Sequence, residues 1–232
     1  MSKALLIKSQ VDKNGGEVGK WNNFNNAPSY IQGIHTGKML EDISAEIDRE
    51  NAIIADLLTM VKLDKTQAEM NIRSHNINEL LELILKRLRP IASQNNIEMV
   101  FESFREVTAE IDEVKLTLAL TNFVENAIKY NKQNGWVHVS LDADHKYFFV
   151  KVTDSGCGIP EEDQEHIFER FYRVDKSHSR EIGGTGLGLA ITKNIVLMHR
   201  GIIEISSVVD EGTTITVRIP LNYIVQKKGE KK

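Results

Sequence analysis

The sequence predicts an α+β protein: a sandwich of a mixed, mainly antiparallel sheet covered by helices, with a helical segment ahead of it. Two hairpin patterns and several amphipathic helical patterns predict it. Val137, Val139 and Leu141 share one face of a strand, and Phe148, Val150 and Val152 share one face of the next, across the turn-prone DADH. Ile203 and Ile205, then Ile215, Val217 and Ile219, repeat this alternation around DEG. Hairpins imply antiparallel pairing, and helical patterns between them imply helices laid over one face of the sheet.

Composition allows such a core. The chain has 232 residues, 41% hydrophobic and 27% charged, enough for one large or two small domains. Its net charge of -4 opposes a global electrostatic grip on nucleic acid. The longest apolar stretches fall far short of the ~20 residues a membrane helix needs. The N-terminus lacks the apolar core and cleavage site of a signal peptide. The single cysteine, Cys157, excludes an internal disulfide and a multi-cysteine zinc site. The chain is expected to be soluble and cytoplasmic, with neither a nucleic-acid partner nor a membrane segment.

In chain order, residues 1–40 oppose a stable helix, with clustered glycines and the asparagine-rich WNNFNNAPSY. A helix is expected over 41–66. Ile43, Ile47, Ile54, Leu57, Leu58 and Val61 form one apolar stripe, which must be buried against a partner helix from the same chain or a second copy. Residues 63–76 read as a connector. Asn78 is expected to cap a helix through ELLELILKRLRPIASQN, with Pro90 kinking or ending it. IEMVFES is a short strand. Asp112 caps a long helix over 113–132, LGLAITKNIVLMHR is another helix, and the KKGEKK tail is a solvated charge run.

Three elements carry chemistry. Asn122, Glu125, Asn126 and Lys129 stand at i, i+3, i+4 and i+7, on one face of the 113–132 helix. Any amphipathic helix has a polar face, but amide oxygens and a carboxylate suit a hard cation such as Mg²⁺, and a lysine suits a phosphate. Asp154-Ser155-Gly156-Cys157-Gly158 follows a strand directly. It is either an ordinary strand-end turn or a tight loop that admits a ligand to the backbone, where a buried carboxylate selects adenine through its exocyclic amine. Gly184, Gly186 and Gly188 open a helix whose exposed amides form a phosphate cradle. Between these loops, IFERFYRVDKSHSREIGG combines aromatic and basic residues, as a mobile basic lid or a surface loop would.

The order of these elements resembles the nucleotide-binding domain of sensor histidine kinases, within the wider family that includes gyrase and Hsp90. NFVENAIKY matches the N box, DSGCGIP the G1 box, IFERFYRVD the F box and GGTGLGLAI the G2 box. EGTTITVRIPL looks like the closing strand motif. The match covers about residues 71–222. The resemblance implies ATP and Mg²⁺ as cofactors. Asn126 would hold Mg²⁺, with Glu125 beside it as a catalytic candidate and Asn122 on the same face. Lys129 would reach the phosphates and Tyr130 would pack on the nucleotide. Asp154 would accept from adenine, with Gly156 and Gly158 shaping the pocket and Thr213 joining that network. Gly184, Thr185, Gly186, Leu187 and Gly188 would line the phosphate chain. Arg173 and Lys176 are further candidates for the γ-phosphate.

The 41–66 helix resembles the second helix of the family's dimerisation and phosphotransfer hairpin, which implies a homodimer through that helix. YIQGIHTGKM resembles the end of the first helix and its turn. The implied partner is the receiver domain of a response regulator. Full-length relatives are often membrane-anchored.

One motif departs from the family. None of the seven histidines, His35, His75, His138, His145, His166, His178 and His199, is followed by an acidic residue and then Thr-Pro or Asn-Pro. Two readings follow: a histidine kinase acting through a response regulator, or a truncated or degenerate kinase working as a nucleotide-binding regulatory module.

Overall fold

The computed structural model describes residues 29–65, 70–174 and 184–223, with side chains from Met39 onward except 41, 64 and 65. The chain divides into two compact units, Met1–Asn51 and Ala52–Lys232.

Helix α1 spans Ser29–Lys65 as one continuous run of 37 residues. This corrects the expected start at residue 41 and the expected turn in YIQGIHTGKM, which is helical, with His35 on it. Gly33 and Gly37 cost about 1 kcal/mol each relative to alanine, but extending an existing helix is far easier than nucleating one. Ile43, Ile47, Ile54, Leu57, Leu58 and Val61 are all exposed on it.

The larger unit continues with β1 (Arg73–Asn76), α2 (Ile77–Gln94), β2 (Glu98–Ser103), β3 (Thr108–Ile111), α3 (Glu113–Lys129), β4 (Trp136–Ala143) and β5 (Tyr147–Asp154). The short α4 (Glu161–Gln164), α5 (Gly188–Met198), β6 (Ile202–Val208) and β7 (Gly212–Pro220) complete it. The main sheet has the order β2-β4-β5-β7-β6. Only the β2–β4 pairing is parallel; the others are antiparallel. Both expected hairpins are present. β1 lies in the stretch read as a connector and pairs antiparallel with β3. At four residues each, neither strand has enough alternation to announce itself.

The α2 cap is also corrected. Asn76, not Asn78, accepts from the backbone N–H groups of Asn78 and Glu79, and Asn78 Oδ1 accepts from the Val107 N–H instead. The helix runs through Pro90 to Gln94. Alternate sheet residues meet α2 and α3 in one core, where Phe123 and Phe148 are fully buried. Each contributes about 1.5–3 kcal/mol through burial. A second cluster joins Met60 and Leu63 of α1 to Ala119 of α3 and to Leu187, Ala190, Ile191 and Ile195.

Asp112 caps α3 as expected, accepting from the Lys115 N–H. It also accepts from the Asn71 N–H and the Lys115 ammonium. Burial opposes its charge, but these hydrogen bonds outweigh that and hold its carboxyl below the usual range. His199, 1% exposed at the end of α5, locks onto the same turn. Its Nδ1–H donates to the Ile195 carbonyl, and its Nε2 accepts from the Asp112 N–H. Protonation would turn Nε2 into a second donor facing a donor. Burial accordingly pushes the His199 pKa below its ordinary value, against the pull of Ile195 and Asp112.

The folded pKa lies below the unfolded value of about 6.5, so this stabilisation is present above that pH and is lost as pH falls from there toward the folded value. The melting temperature is expected to drop between pH 7.5 and 5.5, and His199→Gln should flatten that drop. A parent chain with an unchanged midpoint over this range would contradict the assignment. Exposed His166, raised by its hydrogen bond to Glu169, acts in the opposite direction but as a weak surface pair.

Candidate functional site

The site lies where the C-terminal half of α3 meets the end of β5, the start of β7 and the start of α5. Its two ends are joined by Tyr130, the C-cap of α3.

At one end, Asp154 closes β5. Its Oδ1 accepts from the Gly156 N–H at 2.8 Å and the Thr213 N–H at 3.3 Å. These bonds fix the carboxylate plane and leave Oδ2 without a donor among the described residues. Partial burial raises the Asp154 pKa above the usual carboxylate range, while the two amide bonds oppose the rise. Gly156 packs on the Tyr130 carbonyl, where a methyl group would stand 2.4 Å from that oxygen. The same oxygen accepts from the Cys157 N–H. Gly158 lies against Val208, and Ser207 Oγ bonds Thr213 Oγ1 and takes the Ile159 N–H.

At the other end, the glycine-rich loop crosses the basic end of α3. A methyl on Gly184 would lie 3.0 Å from Lys129 Nζ and 3.7 Å from the Tyr130 hydroxyl. Arg173 donates from a guanidinium nitrogen to the Gly184 carbonyl at 2.8 Å. Phe171, held at φ +65°, donates its N–H to the Gly186 carbonyl. Burial lowers the Lys129 pKa and Arg173 lowers it further, while Glu125 opposes them. Desolvation on its protein side raises the Glu125 pKa, and Lys129 pulls it back. Burial raises the Tyr130 hydroxyl, against the pull of Arg173.

The predicted residues do not all present themselves alike. Asn122 spends its amide N–H groups on the Gly188 carbonyl and Thr192 Oγ1, tying α3 to α5 at 3.4 Å each. The Asn126 side chain is half-buried and makes no hydrogen bond among the described residues. Leu187 turns its side chain into the second core cluster, and its N–H donates to Thr185 Oγ1. Lys176 lies outside the described residues, with half of the expected lid, 175–183.

Three residues were missed. Asn131 binds the end of α3 to the Asp154 loop, donating to the Ala127 and Trp136 carbonyls and accepting from Ser155 Oγ. Its place just past a helix end was a usable signal. Gly212, at φ +133°, allows β7 to pass the Asp154 carbonyl, where a methyl would stand 1.9 Å away. Asp56 of α1 accepts from Thr185 Oγ1 at 2.5 Å; on sequence it is one acid among several on a polar helix face.

A carboxylate fixed by backbone amides, a cationic helix end and a glycine loop opening a helix are thus brought together around the end of α3. Residues 111–223 match the family described as histidine kinase-, DNA gyrase B- and HSP90-like ATPases. The chain is 35% identical over 205 residues to the sensor histidine kinase WalK of Bacillus subtilis, covering 87% of this chain and 32% of that protein. It is 34% identical to the sensor histidine kinase RppB of Synechocystis, covering 79% of this chain and 40% of that protein. The solved catalytic domain of histidine kinase ThkA superposes with a TM-score of 0.59 at 30% identity, covering 66% of this chain and 97% of that domain. The fold also matches, at 23% identity and TM-score 0.62, ThkA solved in complex with the response regulator protein TrrA.

The chain belongs to the sensor histidine kinase family and carries its ATP-binding catalytic domain. It spans about a third of the length of WalK. Among the described residues, no helix is long and apolar enough to cross a membrane.

Proposed function

We propose that this chain binds Mg·ATP and transfers the γ-phosphoryl group to a histidine, from which it passes to an aspartate of a response regulator receiver domain. The observation that carries the reading is Asp154, whose Oδ1 is occupied by two backbone amides while Oδ2 is left to accept from an exocyclic amine. Adenine offers that amine. Guanine has a carbonyl in its place, which a carboxylate cannot accept from.

In this reading Tyr130 packs on the nucleotide, and Lys129, Arg173 and the amides of the Gly184–Gly188 loop neutralise the phosphates. Asn126, with its amide oxygen uncommitted, holds Mg²⁺. Among the described residues no group of three or more His, Cys, Asp or Glu is arranged for a metal. That fits an ion held by one protein oxygen and the substrate phosphates, as magnesium is in phosphoryl-transfer sites. Magnesium would neutralise phosphate charge there. Neutral imidazole is already a nucleophile, so the protein's task is to position it, with Glu125 beside the site as proton acceptor. The N–P bond forms as the bond from the γ-phosphorus to the bridging oxygen breaks. The exposed stripe of α1 supports a homodimer through 41–66, and the solved complex of a kinase of this fold with a response regulator supports that partner. The chain is proposed to work in the cytoplasm.

A second reading is favoured by one observation: none of the seven histidines stands in an acceptor motif. The chain would then be a nucleotide-binding module that modulates a complete kinase. One experiment separates the two. The chain is incubated with labelled Mg·ATP, alone and with a histidine-bearing hairpin from a related kinase. Little acid-labile, base-stable phosphate is expected on the chain alone, and slow labelling is expected on the hairpin. Label on neither, with ATP bound, favours the module. Asn126→Ala should weaken Mg·ATP binding far more than it lowers the melting temperature; unchanged affinity would remove the metal assignment.

A further inference from the structure

The glycine loop already has an anion beside it. Asp56 extends from α1, and its carboxylate accepts from Thr185 Oγ1 at 2.5 Å. That hydroxyl oxygen in turn accepts from the Leu187 N–H at 3.1 Å, one residue before α5 begins. The relay therefore ends on the N-cap N–H of an 11-residue helix, where partial positive charge favours an anion. Nucleotide phosphates would draw on the same field. Around this contact the packing is apolar and close: Met60 and Leu63, 3% and 6% exposed, seat α1 on α3 and α5. This packing places the α1 turn that carries Asp56 beside the loop.

We infer that Asp56 is a positioning residue that sets the affinity of the phosphate loop, by holding Thr185 and by placing a negative charge where phosphates must come. The inference rests on Gly184–Gly188 being the phosphate loop. Two like charges beside one helix terminus repel, so ATP binds less tightly while Asp56 stays docked. Linkage makes the effect reciprocal: ATP loosens this end of α1 by the same factor by which docked Asp56 weakens ATP. Occupancy of the nucleotide site is thereby felt on the helix that carries the exposed apolar stripe. The cost scales with phosphate charge, so it is greatest for ATP, smaller for ADP and absent for adenosine.

The test measures dissociation constants of ATP, ADP and adenosine by calorimetry on the full chain and on Asp56→Asn, which keeps the size and the acceptor oxygen but removes the charge. Asp56→Asn is expected to bind ATP roughly fivefold more tightly, in the range typical of coupled sites. ADP should gain less, adenosine should not change, and the ATP gain should shrink in high salt. In the parent, hydrogen exchange of Leu57–Leu63 should quicken when ATP is added, and in Asp56→Asn it should not. Equal shifts for ATP and adenosine would mean a purely structural contact and overturn the inference, as would unchanged or weaker ATP binding in the variant. A parent chain that binds adenosine but gains nothing from the phosphates would instead bring down the phosphate-loop reading, and this inference with it.

Discussion

Asp154→Asn is expected to lower ATP affinity on the order of 5–150-fold, the equivalent of roughly 1–3 kcal/mol for a buried donor left without its acceptor. The variant keeps one acceptor oxygen for the Gly156 and Thr213 amides, so the loop retains its shape. Its NH₂ group replaces the free Oδ2, and it faces the exocyclic amine donor to donor. Binding should weaken by that factor while the melting temperature moves little. Asp154→Ala is the harsher change, because it also strands both amides. Titration with ATP and GTP is the check: the parent should prefer ATP strongly, and Asp154→Asn should lose most of that preference. Equal competition by GTP in the parent would show that this carboxylate does not read the base.

Gly212→Ala should disable the site from behind. The backbone there, at φ +133°, disfavours any side chain, and the added methyl would stand 1.9 Å from the Asp154 carbonyl oxygen. Strain of this kind costs roughly 1–3 kcal/mol, before the overlap is relieved by moving strands. Relief requires β7 to draw away from β5 at the Asp154–Thr213 pairing, which carries one of the two amide bonds to the carboxylate. Both stability and ATP affinity should therefore fall. Thr214→Ala, two residues on and without that contact, is the control for thermal melting and titration. Gly212→Ala matching its parent in both measurements would remove Gly212 from the site.

Much of this was legible beforehand, for a local reason. The polar face of α3 follows from residue spacing, since 3.6 residues per turn place Asn122, Glu125, Asn126 and Lys129 together whatever the rest of the chain does. Both hairpins follow from alternation, and the Asp112 cap from one side chain before an apolar periodic run. The glycine loops were visible as composition. Their likeness to the boxes of a known family told more than any one of them, because the order of the boxes encodes a three-dimensional arrangement that spacing alone does not.

Local signals failed where the deciding partner is far along the chain. Asn76 caps α2 and Asn78 does not, because Asn78 is engaged by Val107, 29 residues away. β1 exists because β3 pairs with it. His199 carries no local signal of burial, yet it is buried on Asp112 across 87 residues. The helical start of α1 at Ser29 was hidden by glycines that an already formed helix tolerates.

The sequence by itself determined the class of site, because the chemistry of adenine and phosphate recognition needs particular residue types at fixed local spacings. The tertiary structure alone decided how those residues are used: that Asp154 has one oxygen tied and one free, that Asn122 braces α5 while Asn126 stays uncommitted, that Leu187 packs inward, and that Asp56 reaches the glycine loop. Each of these depends on which distant backbone groups satisfy a side chain's hydrogen-bonding capacity. That capacity is settled only when sheet register and helix packing bring the partners within about 3 Å.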